Sequence, residues 1–185
     1  VKVLVTLGYK VDLVTYPFGK DVDLPGLKIY RVPPIPFIQR VKPGFSLAKF
    51  PLDLLIFLIA LQRLCLGRYR YLHTHEEAAL IGIVLAPFFG CKHLYYMHCD
   101  LSQLVPLFMR RFLLVLQKWM VRKANAVIAF YPEVAATARR MVPEQDIHTL
   151  LPFSVDEELP AANAAASSSF AAGNSSSTEN GKRVW

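Results

Sequence analysis

Two short polar clusters interrupt a largely apolar sequence: His73-Thr74-His75-Glu76-Glu77 and His98-Cys99-Asp100. Histidine and carboxylate side chains exchange protons near neutrality, orient hydroxyls and stabilise developing charge. His73 and His75 stand two apart, so on a strand they share a face and could share a metal, with His98 or Asp100 as third ligand. A His-x-His pair is a weak metal signal, and hydrogen-bonded packing is the plainer role for any one of these histidines. Glu76 and Glu77 open a helix-like run, where the helix dipole favours acids, so capping explains at least one of them. His98 beside Cys99 resembles a base and nucleophile in sequence only, because strand neighbours point to opposite faces. The sequence has no GxxxxGK[ST] loop, no GxGxxG, no GxSxG and no CxxC pair.

The elements that must position these clusters alternate. β-branched runs predict strands over 10–15 and 27–32. Pro33, Pro34 and Pro36 then enforce an extended segment, since each fixes φ and removes an amide donor. Apolar periodicity predicts helices over 50–66, 77–89, 103–123 (broken near Pro106) and 133–141. Strands are expected over 71–75, 93–98, 126–130 and 148–152. Residues 1–7 are helix-like, with Gly8 placed as the C-terminal cap. This alternation predicts an α/β fold, a Rossmann-like three-layer αβα domain with a mostly parallel sheet. In such sheets ligands gather at the carboxyl ends of the strands. Strands 71–75 and 93–98 are expected side by side, which brings both clusters to one rim.

With 185 residues, 54% of them hydrophobic and 19% charged, the chain has room for one domain and a sizeable core. That excludes a wholly disordered chain, a collagen and a disulfide miniprotein. Three cysteines, Cys65, Cys91 and Cys99, point to a reducing compartment. The longest uncharged stretch, from Ala78 to Cys91, contains Gly82, Pro87 and Gly90, and the run from Leu54 to Leu61 is short. Both are expected to be buried helices rather than membrane spans. There is no initiator Met and no signal-peptide pattern, so a fragment of a cytoplasmic protein is expected. The net charge of +7 includes two acid-free basic runs. The first holds Lys28, Arg31, Arg40, Lys42 and Lys49. The second, Arg110, Arg111, Lys118, Arg122 and Lys123, interleaves Phe108, Phe112, Leu113, Leu116, Trp119 and Met120 at helical spacing. Such a helix suits an anionic membrane surface. The preferred alternative packs its apolar face on the sheet and leaves the basic face solvated. No nucleic-acid-binding module accompanies the charge. From 159 to 180 the composition collapses into Ala, Ser and Asn and is expected to form a linker, and residues 181–185 are expected to open a second domain.

The order GYKVDLVTYPFG, LKIYRVP, YLHTHEEAALIG, LYYMHCDLSQ, WMVRKANAVIAFYPEV and LLPFSVDEE resembles the N-terminal half of a family 4 glycosyltransferase of the GT-B fold. The resemblance spans 3–158 and implies that 1–158 is an acceptor-side domain facing a donor-binding domain across a cleft. It implies a retaining transferase that takes its sugar from a nucleotide-diphosphate sugar, with no cofactor and no metal. His98 becomes the catalytic candidate, a hydrogen-bond donor as the sugar–phosphate bond breaks. His75, Glu76, Glu77 and Asp100 become substrate-binding candidates. Ser154, Val155 and Asp156 resemble the lead into the interdomain connection. A sugar or lipid-linked acceptor is implied, the latter on the cytosolic face of a membrane. The family's first strand and glycine-rich loop would precede Val1, and its paired glutamates with seven residues between them do not occur. The chain by itself is therefore expected to be inactive. Two other readings remain: a metal-dependent hydrolase using His73, His75 and His98, and a non-catalytic sugar- or membrane-binding domain.

Overall fold

A parallel sheet can bury both faces only if the chain returns over it after each strand, and the sequence supplies apolar helices for that return. The computed structural model describes residues 1–36, 38, 49–101, 106–150 and 183–184. In chain order these are α1 (Lys2–Thr6), β1 (Lys10–Thr15), β2 (Leu27–Arg31), α2 (Phe50–Leu66), β3 (Tyr71–His75), a 3-10 turn (Glu76–Ala78), α3 (Ala79–Phe89), β4 (Lys92–Met97), α4 (Leu107–Lys123), β5 (Ala126–Ala129), α5 (Pro132–Met141), β6 (Ile147–Thr149) and β7 (Arg183–Val184). The strands form one sheet in the order β2-β1-β7-β3-β4-β5-β6, and every pairing is parallel. The expected α/β, Rossmann-like architecture is the observed one.

Alternation along the strands assigns the faces. Leu72, Tyr95, Met97, Val127 and Ala129 are buried under α2 to α5 in two adjoining apolar clusters. Tyr71, Leu94 and Ala126 lie on the opposite face, where Leu4 of α1 and Tyr9 pack on them. Gly8 takes φ +81° after α1 and Gly90 takes φ +63° after α3, left-handed positions that glycine occupies without strain. Most element boundaries fall within a residue or two of expectation, but the helix expected from 77 begins as a 3-10 turn, the one expected over 103–123 is described from Leu107, and the strand expected over 148–152 is observed over Ile147–Thr149, with 151–152 outside the described residues.

One expectation is corrected. Helices α2 and α3 are not buried all round. Leu52, Ile56, Ala60 and Leu64 of α2 face the core, while Leu54 and Leu58 are exposed, and on α3 so are Val84 and Phe88. A single layer of helices covers only the sheet-facing half of each. Residues Arg183 and Val184 pair within this sheet. Val184 sits between Val11 of β1 and Tyr71 of β3, filling the position between two strands that do not pair with each other. Backbone ladder bonds available on both sides favour that slot whatever the side chains. The expected linker at 159–180, Ser154, Val155 and Asp156, the basic residues Arg40 and Lys42, and the start of the helix expected from 103 lie outside the described residues.

Close packing between α3 and β4 depends on Gly82. A Cβ there would lie 2.2 Å from Nε2 of His93. His93 is 2% exposed and cannot swing away without losing its 2.7 Å hydrogen bond to Oγ1 of Thr74. Overpacking of this kind costs about 1–3 kcal/mol, of which helix propensity offsets at most ~1 kcal/mol. Gly82→Ala is therefore expected to lower the urea midpoint, while Val84→Ala on the exposed side of α3 leaves it nearly unchanged. Equal midpoints for Gly82→Ala and the parent chain would contradict this packing.

Candidate functional site

In-register pairing sets where the polar clusters emerge. His75 pairs with Tyr96 across β3 and β4, and Met97 with Ala129 across β4 and β5. Glu76, His98 and Phe130 therefore leave the sheet at the same carboxyl rim. His73 and His75 share the face opposite α2 to α5 and flank Tyr96, at centroid distances of 5.5 and 4.7 Å. The ring ladder continues from His75 to His98 at 5.2 Å and from His98 to Phe130 at 4.6 Å, both stacked. Cross-strand ring pairs of this kind hold side chains in one orientation.

Within the ladder, Nδ1 of His75 and Nε2 of His98 are hydrogen-bonded at 2.9 Å. That bond needs one N–H and one lone pair, so a doubly protonated pair cannot make it. Burial, followed by the neighbouring charge of His98, pushes His75 down to about 4, and burial also lowers His98. At neutral pH both rings are uncharged. Nδ1 of His98 is then the nitrogen left to meet a ligand.

Glu76 holds the turn on which His98 sits. It is the only non-glycine residue with positive φ among the described residues, at 47°, a conformation that costs roughly 1–2 kcal/mol. In that conformation its Oε1 accepts the backbone N–H of His98 at 2.7 Å, and the Cys99 thiol lies 3.8 and 3.9 Å from its two oxygens. Burial, then the carboxylates of Glu76 and Glu77, pushes the Cys99 thiol up to about 11, which keeps it protonated and poorly nucleophilic. Gln117 of α4 secures the same loop. Its amide oxygen accepts from the N–H of Leu101 at 3.1 Å, and its amide nitrogen donates to the carbonyl of Cys99 at 2.9 Å. Glu77 points elsewhere, to Nζ of Lys49 at the start of α2, 3.2 Å away. Asp100 lies two residues past His98 on the loop.

The structure thus gathers His75, Glu76 and His98, keeps Asp100 on the same loop, and turns Glu77 toward α2. The arrangement required for a hydrolase does not form: His73 is wedged between Tyr71 and Tyr96, His75 and His98 engage each other, and no group of three His, Cys, Asp or Glu is placed to hold a metal among the described residues. Tyr96, Phe130 and Gln117 were missed from sequence. Phe130 had a usable signal, being the residue just past a strand that ends at the same rim. Gln117 had none, since a lone Gln on an amphipathic helix reads as solvated.

His73 and His93 are also pushed down to about 4, in both cases chiefly by burial. Unfolded histidine takes up a proton near pH 6.5, whereas these folded ones resist until about 4. The unfolded state therefore binds more protons across that interval, and stability falls as pH drops from 6.5 toward 4. His75 keeps more of its ring in solvent and contributes less. Glu76 and Asp53, raised by burial, act in the opposite sense at the acidic end, so the upper part of the window isolates the histidines. Urea midpoints are expected to fall between pH 7 and pH 5.5; a flat profile would contradict neutral, enclosed imidazoles.

No curated protein matches the chain. The family described as Glycosyl transferase 4-like domain matches residues 1–153. That match contains β1 to β6 and every residue of the rim described above. The chain belongs to the glycosyl transferase 4-like domain family.

Proposed function

We propose that this domain forms the acceptor-side wall of a retaining glycosyltransferase, which moves a sugar from a nucleotide-diphosphate sugar to a sugar or lipid-linked acceptor. The observation that carries the reading is the neutral pair of His75 and His98 at the sheet rim, with His98 held by Glu76. When Nδ1 of His75 donates to Nε2 of His98, the proton of His98 resides on Nδ1. This tautomer gives His98 a hydrogen bond to donate as the bond between the anomeric carbon and phosphate lengthens and negative charge gathers on oxygen. The acceptor hydroxyl oxygen forms the new bond to the anomeric carbon, its proton passes to the departing diphosphate oxygen, and the nucleoside diphosphate leaves with the bonding electrons. His75 and Asp100 are the substrate-binding candidates, Glu76 is a positioning residue, and Glu77 is engaged by Lys49 instead. The reading requires no cofactor: the nucleotide sugar is a substrate.

The test uses a protein that carries this domain together with a donor-binding domain. His98→Ala is expected to lower kcat by roughly 10²–10³-fold, the loss typical of one donor aimed at developing charge. Proton NMR of the product is expected to show the anomeric configuration of the donor. Unchanged turnover removes His98 from the chemistry, and an inverted product removes the retaining mechanism.

A further inference from the structure

Helix α4 carries two apolar stripes, and the core uses only one. Leu113, Gln117, Met120 and Val121 are buried against the sheet. On the other side, Phe108, Phe112, Val115 and Trp119 recur at i, i+4, i+7 and i+11, and are 82, 60, 70 and 40% exposed. At 100° per residue these four fall on one line along the helix. Arg111, Lys118 and Arg122 run beside them along one flank, and all three are exposed. The preferred sequence reading, an apolar face on the sheet and a basic face in water, accounts for Leu113 and Met120 but not for the outer stripe.

The neighbours extend the surface. Helix α4 packs beside α3, and α3 beside α2, in one layer. Phe88 of α3 is 82% exposed, and Leu54 and Leu58 of α2 are exposed as well. Folded monomers rarely leave contiguous apolar patches beyond a few hundred Å² uncovered. Here exposed apolar side chains stand on three neighbouring helices, beside the cations of α4, which itself carries no acid.

We infer that the outer face of the helix layer, centred on Phe108, Phe112, Val115 and Trp119, docks on an anionic lipid surface. An apolar stripe with a Trp, bordered by Arg and Lys, matches the boundary between acyl chains and negatively charged headgroups. A bilayer meets both features without any register, whereas a protein partner would need carboxylates placed opposite each cation. Among the described residues no helix is long and apolar enough to cross a membrane, so α4 lies on the surface. Its N-terminal end follows the loop that carries His98 and Asp100, so Phe108 stands near the carboxyl rim. Docking therefore brings the rim toward the lipid. In combination with the proposed transferase reading, on which this one clause rests, it selects a lipid-linked acceptor.

The test is flotation of the 185-residue chain with vesicles of phosphatidylcholine alone or mixed with phosphatidylserine. Binding is expected on the mixed vesicles at low salt, about tenfold weaker on the neutral ones, and reduced as salt screens the cations. Phe112→Ser with Trp119→Ser is expected to abolish flotation. Lys118→Glu and Arg122→Glu are each expected to weaken it about fivefold or more. These side chains are exposed, so circular dichroism and urea midpoints should match the parent chain. Failure to float at low salt overturns the inference, as does equal flotation of parent and stripe variants. Light scattering that shows a dimer broken by Phe112→Ser with Trp119→Ser also overturns it, because a second copy then covers the stripe. His98→Ala is expected to float normally, so loss of turnover and loss of lipid binding are separable failures.

Discussion

In-register parallel pairing of β3, β4 and β5 is the constraint on which the rest depends. Each strand is followed by a helix that runs back over the same face, so all three strands end at one rim. Residues 23 positions apart in sequence, His75 and His98, thereby come within hydrogen-bond distance. A one-residue slip of β4 would turn Tyr96 into the helix layer and send Tyr95, which is fully buried, to the open face. Apolar burial under α3 and α4 fixes the register, and the register fixes the site.

Enclosure then sets the chemistry. The imidazoles are neutral because burial disfavours their charged form, and Glu76, the one non-glycine residue with positive φ among the described residues, supplies a carboxylate to the backbone amide of His98. A second polar network shows the same physics in a structural role. Asp12 of β1 accepts from the Tyr69 hydroxyl and lies 3.5 Å from the Arg63 guanidinium, whose plane also covers the ring of Tyr30. Burial and the neighbouring carboxylate push Tyr69 up to about 12, so it remains a donor. That network ties α2 to β1 away from the rim. Buried charge alone therefore does not mark a candidate site; in an open parallel sheet, position at the carboxyl ends of the strands does.

The helix layer is two-sided, and this governs what the protein presents to its surroundings. Its inner half satisfies the sheet, while its outer half leaves aromatic and aliphatic side chains in water beside a line of cations. Because α4 both clamps the loop after His98 through Gln117 and displays that outer stripe, the candidate site and the surface share one helix.

Much of this was legible in the amino-acid order. Period-two runs such as KVDLVT and apolar helices between them determine an alternating α/β chain, and the handedness of such units determines a parallel sheet with both His clusters at one rim. The chemical character of His75, Glu76 and His98 was readable for the same reason. Tertiary structure alone decided how those residues divide their tasks. Glu76 caps His98 because a left-handed turn aims it there, Glu77 goes to Lys49, and His73 becomes packing. Likewise β7 joins between β1 and β3, and one stripe of α4 is left uncovered. Periodicity records which residues share a face, but whether anything covers that face depends on neighbours far away along the chain.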